Sequence, residues 1–230
     1  MGLRAASGAV TFECPLQYTQ CCARTASNQQ QCRRVTFRHP YCAHHLRQRL
    51  GLQVRPSRIH GCGLFSTRDI QAGDVVLPYT GERRAAFRGT PYVFGLAAPA
   101  RTYVDATCLR GFGGYVNEAR GTGRPTNVTA RVATVHERDL VKDGDDDDDD
   151  DGPYMRPRTA ALRKKFRRIP RALVTDGGGR RMMGLPMVWF VATRAIPANT
   201  EIVTAYHNAE NRQMKHTTKP RACQQRRRRG

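Results

Sequence analysis

Apolar positions along this chain come in short runs cut by glycine. Gly63–Ile70, Asp74–Tyr79, Thr102–Ala106 and Asn127–Val135 are rich in Val, Leu, Phe, Thr and Tyr, and none is long enough for a helical stripe. This texture predicts short strands. It lapses after Val135, where an acidic run, a basic run and Gly177–Gly179 follow one another, and it resumes from Met183 to Tyr206. Met187–Thr193 is the most apolar of the runs, so Trp189 is expected in the core. Cys14–Gly51 is polar, rich in Gln and Arg, and lacks the periodicity to build a core of its own. The pattern predicts a mainly β domain over 54–208, interrupted by a disordered charged insertion at 136–182. A flexible N-terminus (1–13) and a Cys/His-rich module (14–51) precede it, and a basic tail (209–230) follows.

Charge sharpens this division. The 230 residues carry a formal net charge of +20, although Asp145–Asp151 places seven acids in one run. Outside that run the net is +27, supplied by 34 Arg and 5 Lys. So basic a chain suits an acidic partner such as DNA or a nucleosome, contacted through the Arg-rich segments. Arg156–Arg181 holds ten basic residues and one acid, Asp176, and the tail ends in Arg226–Arg229. The acidic and basic blocks could pair loosely in cis, or the whole stretch could be a solvated linker. The same basic stretches are compatible with nuclear import, by composition alone.

Several classes are excluded or not expected. The apolar stretch Pro186–Ala192 is far too short for a membrane span. Met1–Val10 lacks the roughly 7–15-residue apolar core of a secretory signal, so an intracellular setting is expected. Ala6 stands where an acylation motif opening on Met1-Gly2 wants Ser or Thr. No Walker loop and no His-Glu-x-x-His occurs. Eight cysteines in such a chain are expected as metal ligands or thiols before disulfides.

Five of those cysteines lie between Cys14 and Cys42. Cys22, Cys32 and Cys42 are evenly spaced, with nine residues between each pair, and Cys42 and His45 form a C-x-x-H pair. Two residues between ligands let a tight turn aim both at one ion, and thiolates with an imidazole suit tetrahedral zinc. Zn2+ held by Cys22, Cys32, Cys42 and His45 would staple a segment that has no core. Cys21 could replace Cys22, and His44 or His39 could replace His45. Free thiols beside surface histidines are the bland alternative. The segment from Cys22-Ala-Arg-Thr to Tyr41-Cys-Ala-His-His-Leu46 resembles a zinc-knuckle-like module found before catalytic domains in some eukaryotic and large-virus proteins.

Four further patches fall in order: Gly61-Cys-Gly-Leu-Phe65; Tyr79-Thr-Gly-Glu82; Val116-Asn117 with Pro125-Thr-Asn127; and Glu201–Tyr206. Singly each is weak, since a Gly-x-Gly is also an ordinary turn. In this order they resemble the SET domain of protein-lysine methyltransferases, over Val54 to about Asn208 less the 47 residues His136–Met182. The resemblance implies a fold of small curved sheets, with the segment around Asn117 threaded in a knot-like way beside the closing Tyr206 strand. It implies transfer of a methyl group from S-adenosylmethionine to a lysine of a basic protein such as a histone, and hence a place on chromatin in a nucleus, the host's if the chain is viral.

The resemblance also assigns roles. Tyr206 becomes the principal catalytic tyrosine, and Tyr79 lines the lysine channel. The backbone of Gly61, Cys62, Gly63 and Leu64, with Asn117 and Glu118, cradles S-adenosylmethionine. Tyr103 is a further wall or cofactor-side residue. The chemistry is in line with this set: in-line displacement needs donor and amine held aligned and water excluded, and a narrow aromatic channel disfavours the charged ammonium. The bland readings are strand-end tyrosines half in the core, and an asparagine that satisfies a turn.

The sequence departs from the pattern in places. Glu118 stands where the family usually has His, and Gly114 where Arg is common. Only Cys223 follows the domain, where a cysteine cluster is typical. These departures keep a second expectation alive: a catalytically weak SET-fold module that binds chromatin or nucleic acid.

Overall fold

The computed structural model describes residues 3–4, 10–11, 18–24, 30–37, 40–85, 93–96, 102–107, 111–142, 154–175 and 184–206. The Asp145–Asp151 run, Gly177–Gly179 and the tail from His207 lie outside the described residues, and with them the expectations placed on them.

The chain is mainly β, built from several small sheets. The run expected to be most apolar, Met187–Thr193, falls almost entirely in the strand Pro186–Ala192, the middle strand of a three-stranded antiparallel sheet between Val128–Thr134 and Val75–Tyr79. Every residue from Met187 to Ala192 is buried. A strand covered on both faces reads as a continuous apolar run, which is why this segment shows no alternation. Trp189 is fully buried there, and its indole N–H is satisfied by the Ala133 carbonyl at 3.1 Å.

A second sheet carries the site. Its strand order is Asn117–Glu118, Glu201–Thr204, Cys62–Ser66, Leu52–Pro56. The closing strand Glu201–Thr204 runs antiparallel to Cys62–Ser66 on one edge and parallel to Asn117–Glu118 on the other. Asn127 returns to the same strand: its N–H donates to the Val203 carbonyl, its side-chain amide donates to the Glu201 carbonyl, and its Oδ1 accepts from the Val203 N–H. The chain thus meets the closing strand twice within ten residues. The segment expected to be threaded around Asn117 therefore lies beside the closing strand. A third small sheet, Glu82–Arg84, Thr102–Asp105 and Val93–Leu96, packs its buried face toward the same region.

The insertion is a correction. Within 136–182, the stretch Tyr154–Thr175 is built into the body rather than disordered. Leu162, Phe166, Ile169 and Leu173 are all buried, at spacings of four, three and four. The spacing is helical, but the structure divides these residues among the helix Ala160–Arg163, the turn after it, the short strand Ile169–Pro170 and the helix Ala172–Thr175, with the basic side chains between them exposed or half-buried. The helix Ala160–Arg163 is capped by the Thr159 hydroxyl, which accepts from Leu162 N–H. Phe166 meets Trp189 edge to face, with ring centres 6.1 Å apart. The fully buried Asp74 holds Arg168 by two hydrogen bonds, Nε to Oδ1 at 3.1 Å and Nη2 to Oδ2 at 2.7 Å. Like-charge density predicts disorder only if nothing apolar lies beneath it, and here something does.

The N-terminal module also leans on the body. A hairpin of Tyr18–Gln20 and Val35–Phe37 precedes the helix Ala43–His45, which continues as a π-helical turn Leu46–Leu50. Leu46 and Leu50 join the main core, and the buried Tyr41 hydroxyl donates to the Ala172 carbonyl at 2.8 Å. A segment without its own core borrows one. Among the described residues no helix is long and apolar enough to cross a membrane.

Candidate active site and metal centre

Two residues past the closing strand stands Tyr206, whose half-buried side chain turns back over the threaded segment. Its hydroxyl donates to the Val116 carbonyl at 2.7 Å, and its backbone N–H donates to Glu118 Oε1 at 3.3 Å. Glu118 also faces Arg120 Nε at 3.6 Å. Tyr206 and the Asn117–Glu118 segment are therefore one unit.

Tyr79 ends its strand fully buried. Its ring meets Phe94 edge to face at 4.6 Å and Phe190 at 6.1 Å. Phe94 in turn lies 5.3 Å from the Tyr206 ring. The two tyrosines are thus linked through Phe94, a residue that sequence reasoning missed. The signal was the aromatic and β-branched run Tyr92-Val-Phe94, too short to register as an alternating strand. Tyr103 does not join this group. It pairs with Gly95, one position off Phe94, and strand alternation puts the two rings on opposite faces of their sheet. Its ring lies across the bare face of Gly95 instead.

Gly61-Cys-Gly-Leu64 supplies the neighbouring edge. Gly61 has φ +40°, where a side chain would be strained, and the turn it makes carries the chain into the strand Cys62–Ser66. Leu64 is wholly buried and Cys62 is disulfide-bonded, so these two offer backbone rather than side chain, and the Cys62 sulfur departs from the expected free thiol. The missing side chain of Gly63 makes room for a protein group: a Cβ there would collide with Glu201 Oε1 and stand 3.0 Å from Ser57 Cβ.

Glu201 is the second residue sequence reasoning undervalued. It entered only as the start of a motif, yet its buried carboxylate is a junction. Oε1 accepts from Ser57 Oγ at 2.6 Å and from Asn117 Nδ2 at 2.9 Å, and Oε2 accepts from Arg124 Nη1 at 3.2 Å. Asn117 Nδ2 also lies 3.2 Å from the Cys62 carbonyl and 3.4 Å from that of His60. One carboxylate and one amide therefore fix the Gly61 turn against the threaded segment.

In the module, Cys21, Cys32, Cys42 and His45 place one ligand atom each within 4.8 Å of one another. The expected quartet is corrected at one position: Cys21 stands in it, not Cys22. Neighbours on extended chain point to opposite sides. Cys21 is fully buried and turns its sulfur inward, where it accepts from the Cys42 N–H at 3.2 Å. His45 Nδ1 lies 3.4 Å from Cys21 Sγ and 3.3 Å from Cys42 Sγ. Tetrahedral zinc with Zn–S bonds of ~2.3 Å holds its ligand atoms about 3.8 Å apart, so the cluster fits such an ion. Burial pushes the Cys21 thiol up to about 11. Burial pushes Cys42 the same way, but hydrogen bonds from the His45 N–H and the Cys21 thiol hold it below the usual thiol value. The first proton lost from this pair is therefore that of Cys42.

No family model matches the chain, and no curated protein matches it in sequence. Among solved structures it is similar to the methyltransferase domain of human PR domain-containing protein 2, at 13% identity and a TM-score of 0.39, over 72% of this chain and 82% of that one.

Proposed function

We propose that the chain is an S-adenosylmethionine-dependent protein-lysine methyltransferase whose N-terminal module carries one structural zinc ion. The observation that carries this reading is the convergence of Tyr206, Asn117–Glu118 and the Gly61 turn around one strand, with the Tyr79–Phe94–Phe190 aromatic group adjoining. The half-buried backbone of His60–Cys62, with Asn117, Glu118 and Tyr206, is the polar strip that would hold S-adenosylmethionine. The half-buried carboxylate of Glu118 anchors that strip, holding the Tyr206 N–H at 3.3 Å and facing Arg120 Nε at 3.6 Å.

S-adenosylmethionine supplies, when bound, a methyl group on a positively charged sulfur. The protein's own work is the rest. Tyr206 commits its proton to Val116, which fixes the orientation of its phenolic oxygen. Phe94 and Tyr206 form an apolar wall that strips water from a lysine side chain, which favours its neutral form. The Glu201–Asn117 junction holds both sides of the strip in register. The substrate is a lysine of a basic protein, a histone tail being the natural candidate, in a nuclear setting.

The test is transfer of labelled methyl groups to an array of basic peptides, run beside equilibrium binding of S-adenosylmethionine. Binding with transfer supports the reading. Binding without transfer supports the catalytically weak module, a reading that the Glu118–Tyr206 hydrogen bond favours, since it occupies the carboxylate that replaces the family's histidine. Absence of both binding and transfer would overturn the enzyme and leave the module that binds chromatin or nucleic acid.

A further inference from the structure

From Cys14 to Arg68 the chain has no Asp or Glu: 55 residues hold nine arginines and no lysine. Tyr154–Thr175 repeats the bias, with eight basic residues and no acid. These two stretches are far apart in sequence and touch in the fold. The Tyr41 hydroxyl donates to the Ala172 carbonyl. The Arg68 side chain lies against the bare face of Gly51, at the end of the module's helix, and its guanidinium sits 5.2 Å from the Tyr154 ring, with Arg168 4.3 Å from the same ring. Arg68 Nε and Nη2 are buried without a hydrogen-bond acceptor, so its charge is uncompensated at the seam. On the module, Arg24, Arg33, Arg34 and Arg47 are exposed, and Arg49 donates to the Arg24 carbonyl. Across the seam, Arg156 and Arg158 are exposed. The described acids beside this face are few: Asp74 is buried under Arg167 and Arg168, Asp69 accepts from the Ala198 N–H, and next to Arg158 stand the exposed Glu137 and the half-buried Asp139, whose carbonyl accepts from the Arg158 N–H and whose Oδ2 accepts from the His136 N–H.

We infer that the zinc module and the folded part of the insertion form one continuous surface that binds the phosphate backbone of duplex nucleic acid. A face on which arginines far outnumber acids among the described residues matches a polyanion of uniform charge, and guanidinium groups take phosphate oxygens in pairs. A protein partner would want apolar anchors. Among the described residues only Val35 and Leu185 are large exposed hydrophobics, so this face offers at most two. The same face repels the basic substrates proposed above, so the two sites are separate and each can fail alone.

The experiment uses the full zinc-loaded chain and a mixed-sequence duplex of about 25 base pairs, followed by fluorescence anisotropy over a salt series. Arg33→Gln/Arg34→Gln/Arg47→Gln should weaken duplex binding ~10-fold or more near ~0.1 M salt and flatten the salt slope by about 2–3, near one for each phosphate no longer neutralised. Arg156→Gln/Arg158→Gln, across the seam, should weaken it as well. All these side chains are outside the proposed active site, so an unchanged melting temperature and unchanged methyl transfer to a free peptide serve as folding controls. Unchanged duplex affinity in either variant overturns the continuous surface. Tighter binding of poly-glutamate than of duplex at equal salt overturns the choice of nucleic acid.

Discussion

The Tyr206 hydroxyl donates to the carbonyl of Val116, 90 residues earlier, at 2.7 Å. The bond does two things. It ties the closing strand to the threaded segment, and it fixes which way the phenolic oxygen presents its lone pairs. On the proposed function the second matters most in the transition state. Tyr206→Phe should therefore lower kcat by ~10²-fold or more and leave S-adenosylmethionine binding nearly unchanged. The loss of one half-buried hydrogen bond should cost only ~1 kcal/mol of stability. Steady-state kinetics, calorimetric cofactor binding and a denaturant titration separate the effects. Equal turnover of the two proteins would remove Tyr206 from the mechanism.

Asp74 is wholly buried, whereas its partner Arg168 reaches solvent at the edge of the insertion. Removing one or the other should then have unequal costs. Arg168→Ala strands a carboxylate away from water, with Arg167 Nη1 at 3.4 Å and the Gln71 N–H at 3.3 Å left to compensate, and should lose about 3 kcal/mol. Asp74→Ala leaves an arginine that can rotate toward water and should lose less. Urea unfolding of both variants checks the order, and proteolysis within 154–175 should quicken most in Arg168→Ala.

How much of this was legible beforehand differs by element. The strands of the body were, because runs such as Asp74–Tyr79 and Met187–Thr193 are apolar enough to need burial whatever surrounds them. The parallel pairing of Asn117–Glu118 with the closing strand was reachable only through the ordered motifs, since two residues carry no periodicity. Phe94 and Glu201 escaped for the same physical reason: each acts through neighbours distant in sequence, Tyr79 and Tyr206 for one, Ser57, Asn117 and Arg124 for the other. The helical spacing of Leu162, Phe166, Ile169 and Leu173 was present in the sequence, but the surrounding arginines and lysines outweighed it. Even spacing selected Cys22, and strand alternation selects Cys21; only the second is a physical constraint.

The metal centre offers a direct comparison of those two cysteines. Cys21→Ser should lose most of the bound zinc, and Cys22→Ser should keep it, as read by elemental analysis of the purified chains. Proton release gives a second measurement. Burial holds the Cys21 thiol near 11, far above neutral pH, so metal must displace its proton. Loading at pH 7 should release up to three protons for the three thiols, fewer to the extent that Cys42, lowered by its hydrogen bonds, is already a thiolate. Because the ligands must be deprotonated, affinity should weaken as pH falls. Calorimetry in buffers of different ionisation enthalpy reads the number. Zinc uptake with no proton release would mean that other groups bind the ion.

Gly63 tests whether the Glu201 junction, rather than a bare approach to ligand, is what requires glycine there. An added methyl group would meet Glu201 Oε1, and it would stand 3.0 Å from both Glu201 Cδ and Ser57 Cβ. A carboxylate at the end of a free side chain could swing away at little cost. This one is held by Ser57, Asn117 and Arg124, so moving it breaks three charge-assisted hydrogen bonds at once. Gly63→Ala should therefore destabilise the chain by about 2–3 kcal/mol, at the upper end for overpacking by one methyl group. Glu201→Ala should itself be costly, because it removes the acceptor of the Ser57 hydroxyl and leaves Asn117 Nδ2 with only the Cys62 and His60 carbonyls at 3.2 and 3.4 Å. The two costs should not add. In the Glu201→Ala background the methyl group enters the space the carboxylate vacates, and Gly63→Ala should cost under about 1 kcal/mol more, a coupling on the order of 1–2 kcal/mol in the double-mutant cycle. Strict additivity would show that the two positions do not meet in solution. In that case the requirement for glycine at 63 would pass back to the approach of a ligand against its backbone.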